Sequence, residues 1–425
     1  MNLELHRSFL DTENLKFNAP VQGKHHSRLV SIKAKYLEMT RSGPSGASDY
    51  YRSLKDKEGL IESMSLAESF LSKGFESMIV VGIGGSALGA KCVYEGLKNT
   101  KTLKTLLFLE NIDPLVLNKT LKEVDLSKTV VALITKSGGT IETMGNFSAL
   151  WNRLQSELGE DKAKEQIVAI TDPSSGSLRQ WCENEKVQSL SVPSGVGGRF
   201  SVLTPVGLFP LAFAGVDVEK LCAGALEAME SEGIQSELLS LSLRFLDFYE
   251  QGVSTHVIMP YSTSLAALGA WCVQLIGESI GKKGPRGRHV GITPLAAVGA
   301  TDQHSLLQLL MEGPNQFLTH FIKVKNWENP VKFEKLPKEF SKLDFALGKR
   351  FDEIINAEAT ATANALQKNS RPCFEIVLDA HNEESIGAVL AFYMDLSSVL
   401  GAAFEINPYN QPGVELGKII LREVL

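Results

Sequence analysis

The chain has 425 residues, 44% of them hydrophobic and 22% charged, with a formal net charge of −6. That length outgrows a single ordinary core and predicts two domains, and the composition excludes wholesale disorder. A net acidic chain attracts no polyanion through its overall field, so nucleic acid and basic membrane contacts are excluded and any anionic ligand must be held by local groups.

The N-terminus, MNLELHRSFLDTEN, has acids early and no apolar h-region, so no secretory signal is expected. The first 45 residues read as helical and are expected to pack on the second domain. From Ser77 to Val192, apolar runs at Met78 to Val81, Leu106 to Leu109, Thr129 to Ile134, Gln166 to Ile170 and Val187 to Val192 alternate with amphipathic helical stretches. Continuous apolar strands between helices predict a parallel sheet covered on both faces, with ligands bound beyond the carboxyl ends of its strands.

Two of those strands run into loops suited to a phosphate. VVGIGGSALGA (Val80 to Ala90) turns from strand to helix, so backbone N–H groups around Gly84, Gly85 and Ser86 face outward at a helix start. It lacks both the Lys-Ser/Thr ending of a nucleotide P-loop and the dinucleotide spacing, so neither ATP nor NAD follows. ITKSGGTIET (Ile134 to Thr143) offers Thr135, Lys136, Ser137 and Thr140 at a second such turn, where Thr140 also serves as a helix cap. Next comes GVGGRFSVLTPVGL (Gly195 to Leu208), which sets one permanent cation, Arg199, among glycines in an otherwise uncharged loop. The apolar segment Val202 to Val216 is too short to span a bilayer and is interrupted by Pro205 and Pro210, so no membrane anchor is expected.

A helical connector, roughly Val218 to Gln251, leads to a second α/β pattern. Its strands are expected at His256 to Met259, Phe317 to Val324 and Cys373 to Leu378, and its long helices at Ser264 to Ser279 and Glu383 to Ala403. The expected divisions are residues 1–45, a first domain at 46–217, a connector at 218–251 and a second domain at 252–425. The five cysteines are odd in number, scattered and without a C-x-x-C pair. That excludes a disulfide framework and a zinc site and predicts reduced, cytoplasmic thiols.

Three further segments carry groups that move protons. Glu278, in QLIGESIGKKG, ends an apolar helix, where partial withdrawal from water would make its carboxylate a competent base. His304, in GATDQHSLLQLLMEGPNQ, is a shuttle of the right pKa class, and equally a structural residue on an apolar helix. Lys418 lies in NPYNQPGVELGKIILREVL on the first turns of a terminal helix, with Gln411 just before it.

GIGGS and TKSGGT resemble the sugar-phosphate site of the SIS (sugar isomerase) superfamily. GVGGRFSVLTPVGL and NxxxQxGVELGK resemble the two signatures of the glucose-6-phosphate isomerase family. With GESIGK and TDQHS, these pieces follow family order over roughly residues 80 to 420, at the length of the shorter bacterial members. The resemblance implies two SIS-type α/β domains, each a parallel sheet sandwiched by helices, with a C-terminal helical arm. It implies reversible isomerisation of glucose 6-phosphate to fructose 6-phosphate through ring opening and a cis-enediol, with no cofactor or metal.

By motif, Gly85 and Ser86 would contact the substrate backbone, and Thr135, Lys136, Ser137 and Thr140 would surround the phosphate. Arg199 would stabilise the enediolate and Glu278 would be the base, while Lys418 and His304 would assist ring opening with Gln411 nearby. His304 would come from the second subunit of a homodimer with shared active sites. Longer members carry a Glu in a GEPGTNGQH segment where this chain has LAAVGATDQH, with Ala297 at that place; Glu142 and Glu312 stay open as the base, and His289 as the histidine. Two other readings also stay open: an isomerase that accepts mannose 6-phosphate as well, and a silent SIS-domain sugar-phosphate sensor.

Overall fold

The computed structural model describes residues 3–6, 24–42 and 48–425. In chain order its strands are β1 (Leu3–His6), β2 (Ser77–Val81), β3 (Thr105–Leu109), β4 (Thr129–Ile134), β5 (Ile167–Thr171), β6 (Gln188–Ser191), β7 (Thr255–Pro260), β8 (Lys282–Lys283), β9 (His289–Val290), β10 (Thr293–Ala296), β11 (Phe317–Asn326) and β12 (Cys373–Ala380).

The first sheet has the order β3-β2-β4-β5-β6 and is parallel throughout. Alternation along the strands sends Met78, Val80, Val130 and Ala132 to one face, against Phe70, Phe209 and Phe213. The intervening Ile79, Val81, Val131 and Leu133 face Phe147, Leu150 and Leu154 on the other. Burial on both faces explains why these strands read as unbroken apolar runs; every residue of β4 is buried. The connection after β2 leads to β3 on one side and that after β4 to β5 on the other. The carboxyl ends of β2 and β4 therefore flank the point where the winding reverses, the place such sheets offer to ligands.

The second sheet has the order β1-β12-β11-β7-β10. Its four inner and distal strands are parallel, while β1 runs antiparallel along the edge of β12. Two differences from the sequence reading arise here. Within the first 45 residues, Leu3–His6 is a strand rather than helix, its backbone paired antiparallel with β12 from Leu3 opposite Leu378 to His6 opposite Glu375; residues 7–23 and 43–47 lie outside the described residues. Thr293–Ala296 adds a strand that its short, proline-containing sequence does not announce.

Helix Glu383–Ala403 packs along Val218–Glu230 and is long and apolar enough to cross a membrane, but its apolar stretch is buried inside the protein. Within it Asp395 is 1% exposed and accepts hydrogen bonds from Arg41 Nη2 (2.7 Å), Tyr50 (2.7 Å) and Gln235 (3.0 Å). Tyr50 and Tyr409 both reach Ser398 one turn on, each at 2.9 Å, and Phe200 packs between their rings. With Arg41 also donating to the Tyr36 hydroxyl at 3.0 Å, this network ties helix Lys24–Leu37 and its extension through Arg41 to the arginine loop at Phe200 and to the 408–411 segment at Tyr409.

Candidate active site

The turn after β2 tightens into a short 3-10 segment, Gly84–Ser86, before helix Leu88–Leu97. Gly84 has φ +58°, a left-handed conformation that favours glycine, and Gly85 lies directly against the backbone of Gly198. A β-carbon at Gly85 would stand 2.2 Å from the Gly198 carbonyl carbon and 2.6 Å from the Arg199 nitrogen. The Ser201 hydroxyl bridges the same seam, donating to Gly198 O at 2.6 Å and reaching Gly85 O at 3.4 Å.

After β4, Thr135 is buried and its hydroxyl meets that of Thr140 at 3.3 Å, while Ser137 is exposed. Lys136 turns its ammonium to the carbonyls of Ser194 (2.8 Å) and Val196 (3.3 Å), lashing this loop to the one that carries Arg199. The two loops read from sequence as anion sites and the arginine loop thus form one continuous rim at the carboxyl ends of β2 and β4.

Arg199 is 4% exposed, and all five of its N–H donors are engaged. Nε donates to the Ser279 hydroxyl (2.8 Å), Nη1 to Glu278 Oε2 (3.1 Å) and Gln411 Oε1 (3.1 Å), and Nη2 to the carbonyls of Pro408 (2.5 Å) and Asn410 (3.1 Å). Burial lowers its pKa from the usual value while Glu278 beside it pulls the other way. A buried guanidinium is tolerated because each donor is satisfied and one partner is an anion.

Glu278 stands near the end of helix Ala266–Ile280 and keeps 37% of its side-chain exposure, so the pair is closed on the arginine side and open on the carboxylate side. Its second oxygen accepts from Gln274 Nε2, one helical turn earlier, at 3.2 Å.

Residues 85, 199, 278 and 411, far apart in sequence, therefore converge. His304 lies exposed in the first turn of helix Gln303–Glu312, and no hydrogen bond among the described residues links its ring to Glu278 or Arg199. Lys418 is exposed on helix Glu415–Val424, whose Leu416, Ile419, Ile420 and Val424 also stand in solvent. Of the competing groups, Glu312 accepts from Gln308 at its helix end, Glu142 sits in the first turn after the β4 loop, and His289 is exposed on the β8–β9 ribbon. Among the described residues none of these three bonds to Arg199.

Sequence reasoning passed over Gln274, Ser279, Asn410 and Lys282. The Lys282 ammonium donates to the backbone carbonyl of Asn410 and to its side-chain oxygen, the latter at 3.2 Å. The i, i+4 spacing from Gln274 to Glu278 and from Glu278 to Lys282 was the available signal, masked because a lysine after a helix ordinarily reads as surface.

A family profile described as phosphoglucose isomerase matches residues 49–425. A relative from Rubrobacter xylanophilus, named glucose-6-phosphate isomerase, is 37% identical over 382 residues and covers 87% of each chain. Among solved structures, a protein of Thermus thermophilus described as hypothetical superposes with a TM-score of 0.89 at 32% identity over 99% of both chains. A glucose-6-phosphate isomerase of Chlamydia trachomatis shares the fold, with a TM-score of 0.81 at 23% identity, covering 94% of this chain and 84% of that one.

Proposed function

The chain belongs to the phosphoglucose isomerase family, and from that premise we propose how its own residues carry the family's reaction. That reaction is the reversible aldose–ketose isomerisation of D-glucose 6-phosphate to D-fructose 6-phosphate. Its chemistry needs a base for the C2 proton, a cation for the enediolate oxygen, and acid–base help to open the ring.

Glu278 takes the C2 proton of the open-chain aldose and, once the C2 hydroxyl proton has passed to O1 so that the C2–O bond can become the carbonyl, delivers its proton to C1. The electron pair released at C2 moves into the C1 carbonyl, giving a cis-enediolate whose charge falls to Arg199. Because every donor of Arg199 is already committed, it meets that charge only by exchanging a bond, and Nη1, shared between Glu278 and Gln411, is the donor nearest the base. The exchange leaves Glu278 less tightly held when it must act as a base. Gly85 and Ser86 approach the sugar backbone, while Thr135, Ser137 and Thr140 with the loop N–H groups surround the phosphate. Lys136 contributes its charge from the edge of that cup.

His304 and Lys418 assist ring opening, the histidine from the second subunit of a homodimer. Support for that assembly comes from the exposed apolar stripe of helix Glu415–Val424, with Leu416 65% and Ile419 54% exposed, and from the absence, among the described residues, of a bond between His304 and its own chain's cluster. Five buried free thiols suit a reducing, cytoplasmic setting.

The observation that carries this reading is the closed arginine paired with the open carboxylate at 3.1 Å. Its test is the rate of glucose 6-phosphate formation from fructose 6-phosphate with EDTA present, for the unaltered protein and Glu278→Gln. A loss of about 10²–10⁴-fold or more in kcat is expected for removing the base. An equally active variant would move the base to another carboxylate, and an inactive unaltered protein would sink the reading.

A further inference from the structure

Lys282 is a cation beside the catalytic pair that the family reading leaves without a role. It lies one helical turn beyond Glu278, just past the end of helix Ala266–Ile280, at the start of the two-stranded β8–β9 ribbon. Its side chain is half-buried. It grips Asn410 twice, by the backbone carbonyl and by the side-chain oxygen, and that same carbonyl accepts from Arg199 Nη2 at 3.1 Å. Two cations thus converge on one carbonyl oxygen, which presents two lone pairs, while the Glu278 carboxylate, paired with Arg199 at 3.1 Å, offsets part of their charge.

Residues 408–411 supply three of the acceptors of Arg199: the carbonyls of Pro408 and Asn410 and the side chain of Gln411. The loop is tied down on its other side by the Tyr409 hydroxyl on Ser398. Lys282 is the tie on the active-site side.

We propose that Lys282 is a positioning residue for the isomerisation: by holding the Asn410 carbonyl it fixes the loop that aims Arg199 and Gln411 at the reacting carbons. The inference rests on the isomerase reading and deepens it. The charged groups facing Lys282 are Arg199 and Glu278; its ribbon neighbours Lys283 and His289 are exposed. Burial first, then the Arg199 charge, lowers the Lys282 pKa to about 8, with Glu278 opposing. The ammonium clamp is complete below that pH and loses its charge as pH rises through it.

The experiment measures kcat and KM from about pH 6.5 to about 9.5, a span that brackets a lysine shifted this far from its ordinary value, for the unaltered protein, Lys282→Met and Lys282→Arg, with thermal unfolding of each as the check on folding. The unaltered protein is expected to lose kcat on an alkaline limb near pH 8. Lys282→Met should be about 10–100-fold lower in kcat, the cost of a misplaced catalytic group, with KM nearly unchanged and the limb gone. Lys282→Arg, permanently charged, should recover most of the activity at about pH 7 and hold it through about pH 9.

A folded Lys282→Met that keeps kcat within about twofold, or one that raises KM alone, overturns the positioning role, the second by making Lys282 a plain substrate contact. An alkaline limb unchanged in both variants overturns it as well. An unaltered protein without isomerase activity is the separate result that removes the isomerase reading and this inference with it.

Discussion

Gly85→Ala adds a single carbon at the seam between two loops. The new β-carbon would sit 2.2 Å from the Gly198 carbonyl carbon, 2.4 Å from its oxygen and 2.6 Å from the Arg199 nitrogen, all of them backbone atoms with no rotamer to escape into. Carbon atoms in contact rest at about 3.5–4.0 Å, so the loops must part by about 1 Å or more. Gly85 has no left-handed φ, so alanine suits the local backbone and the effect is purely one of space. Displacement of Arg199 N carries the guanidinium with it and lengthens bonds that now lie between 2.5 and 3.1 Å. A misplacement of this size costs about 10²-fold in rate, about 2.7 kcal/mol, and overpacking lowers stability by about 1–3 kcal/mol. Steady-state kcat for fructose 6-phosphate, read beside the urea midpoint, tests this. Gly233→Ala, whose β-carbon would find its nearest atom at 3.8 Å, is the control expected to keep full activity. A Gly85→Ala protein with kcat within about twofold and an unchanged midpoint would refute the argument that this contact sets the arginine.

Asp395→Ala removes the buried acceptor of Arg41, Tyr50 and Gln235, and leaving a cation without its partner should cost about 3–5 kcal/mol in denaturant unfolding; a loss below about 1 kcal/mol would show that the network is not coupled. His256 and His320 share a hydrogen bond of 3.0 Å in the second core, where burial holds both pKa values down, that of His256 to about 3. The unfolded chain then binds protons that the folded one refuses, so their contribution is complete above about pH 6.5 and declines below it by about 1.4 kcal/mol per pH unit per histidine. Unfolding midpoints at about pH 7 and about pH 5, on either side of the ordinary histidine value, should show a shallower acid slope for His256→Phe than for the unaltered protein, and equal slopes would contradict this. Mixing Glu278→Gln with His304→Ala under subunit exchange should restore about a quarter of the unaltered activity if each site draws on both subunits of a two-fold dimer; no recovery, with exchange verified by mass, would place both residues in one chain's site.

The elements of the first domain were legible because a parallel sheet buried on both faces leaves long apolar runs; the expected Thr129 to Ile134 matches β4 residue for residue. Strand β10 was not, since Thr293–Ala296 has neither an apolar run nor a clean alternation and is held as a strand only by pairing with β7. Arg199 stood out because a lone charge among glycines is chemically odd. Its partners were harder to see. Asn410 and Pro408 act through backbone carbonyls, which no side-chain pattern records, and Lys282 meets Asn410 across 128 positions of sequence. Asp395, within a helix apolar enough to resemble a membrane span, was equally hidden: an acid there makes sense only once Arg41 and Tyr50 are known to arrive from elsewhere.

The seam at Gly85 and Gly198, with the Lys136 lashing to Ser194 and Val196, bears on how such sites can be rebuilt. Loops of the kind proposed to hold the phosphate look like cassettes that could be exchanged between sugar isomerases to alter substrate choice. Here they do not come apart singly. A loop transplanted after β2 must bring a glycine that tolerates contact with the arginine turn, and one transplanted after β4 must bring a cation of lysine's reach, or the recipient's Arg199 loses its seat. The unit for grafting is all three loops together, and shuffling any one of them alone should yield folded proteins without turnover.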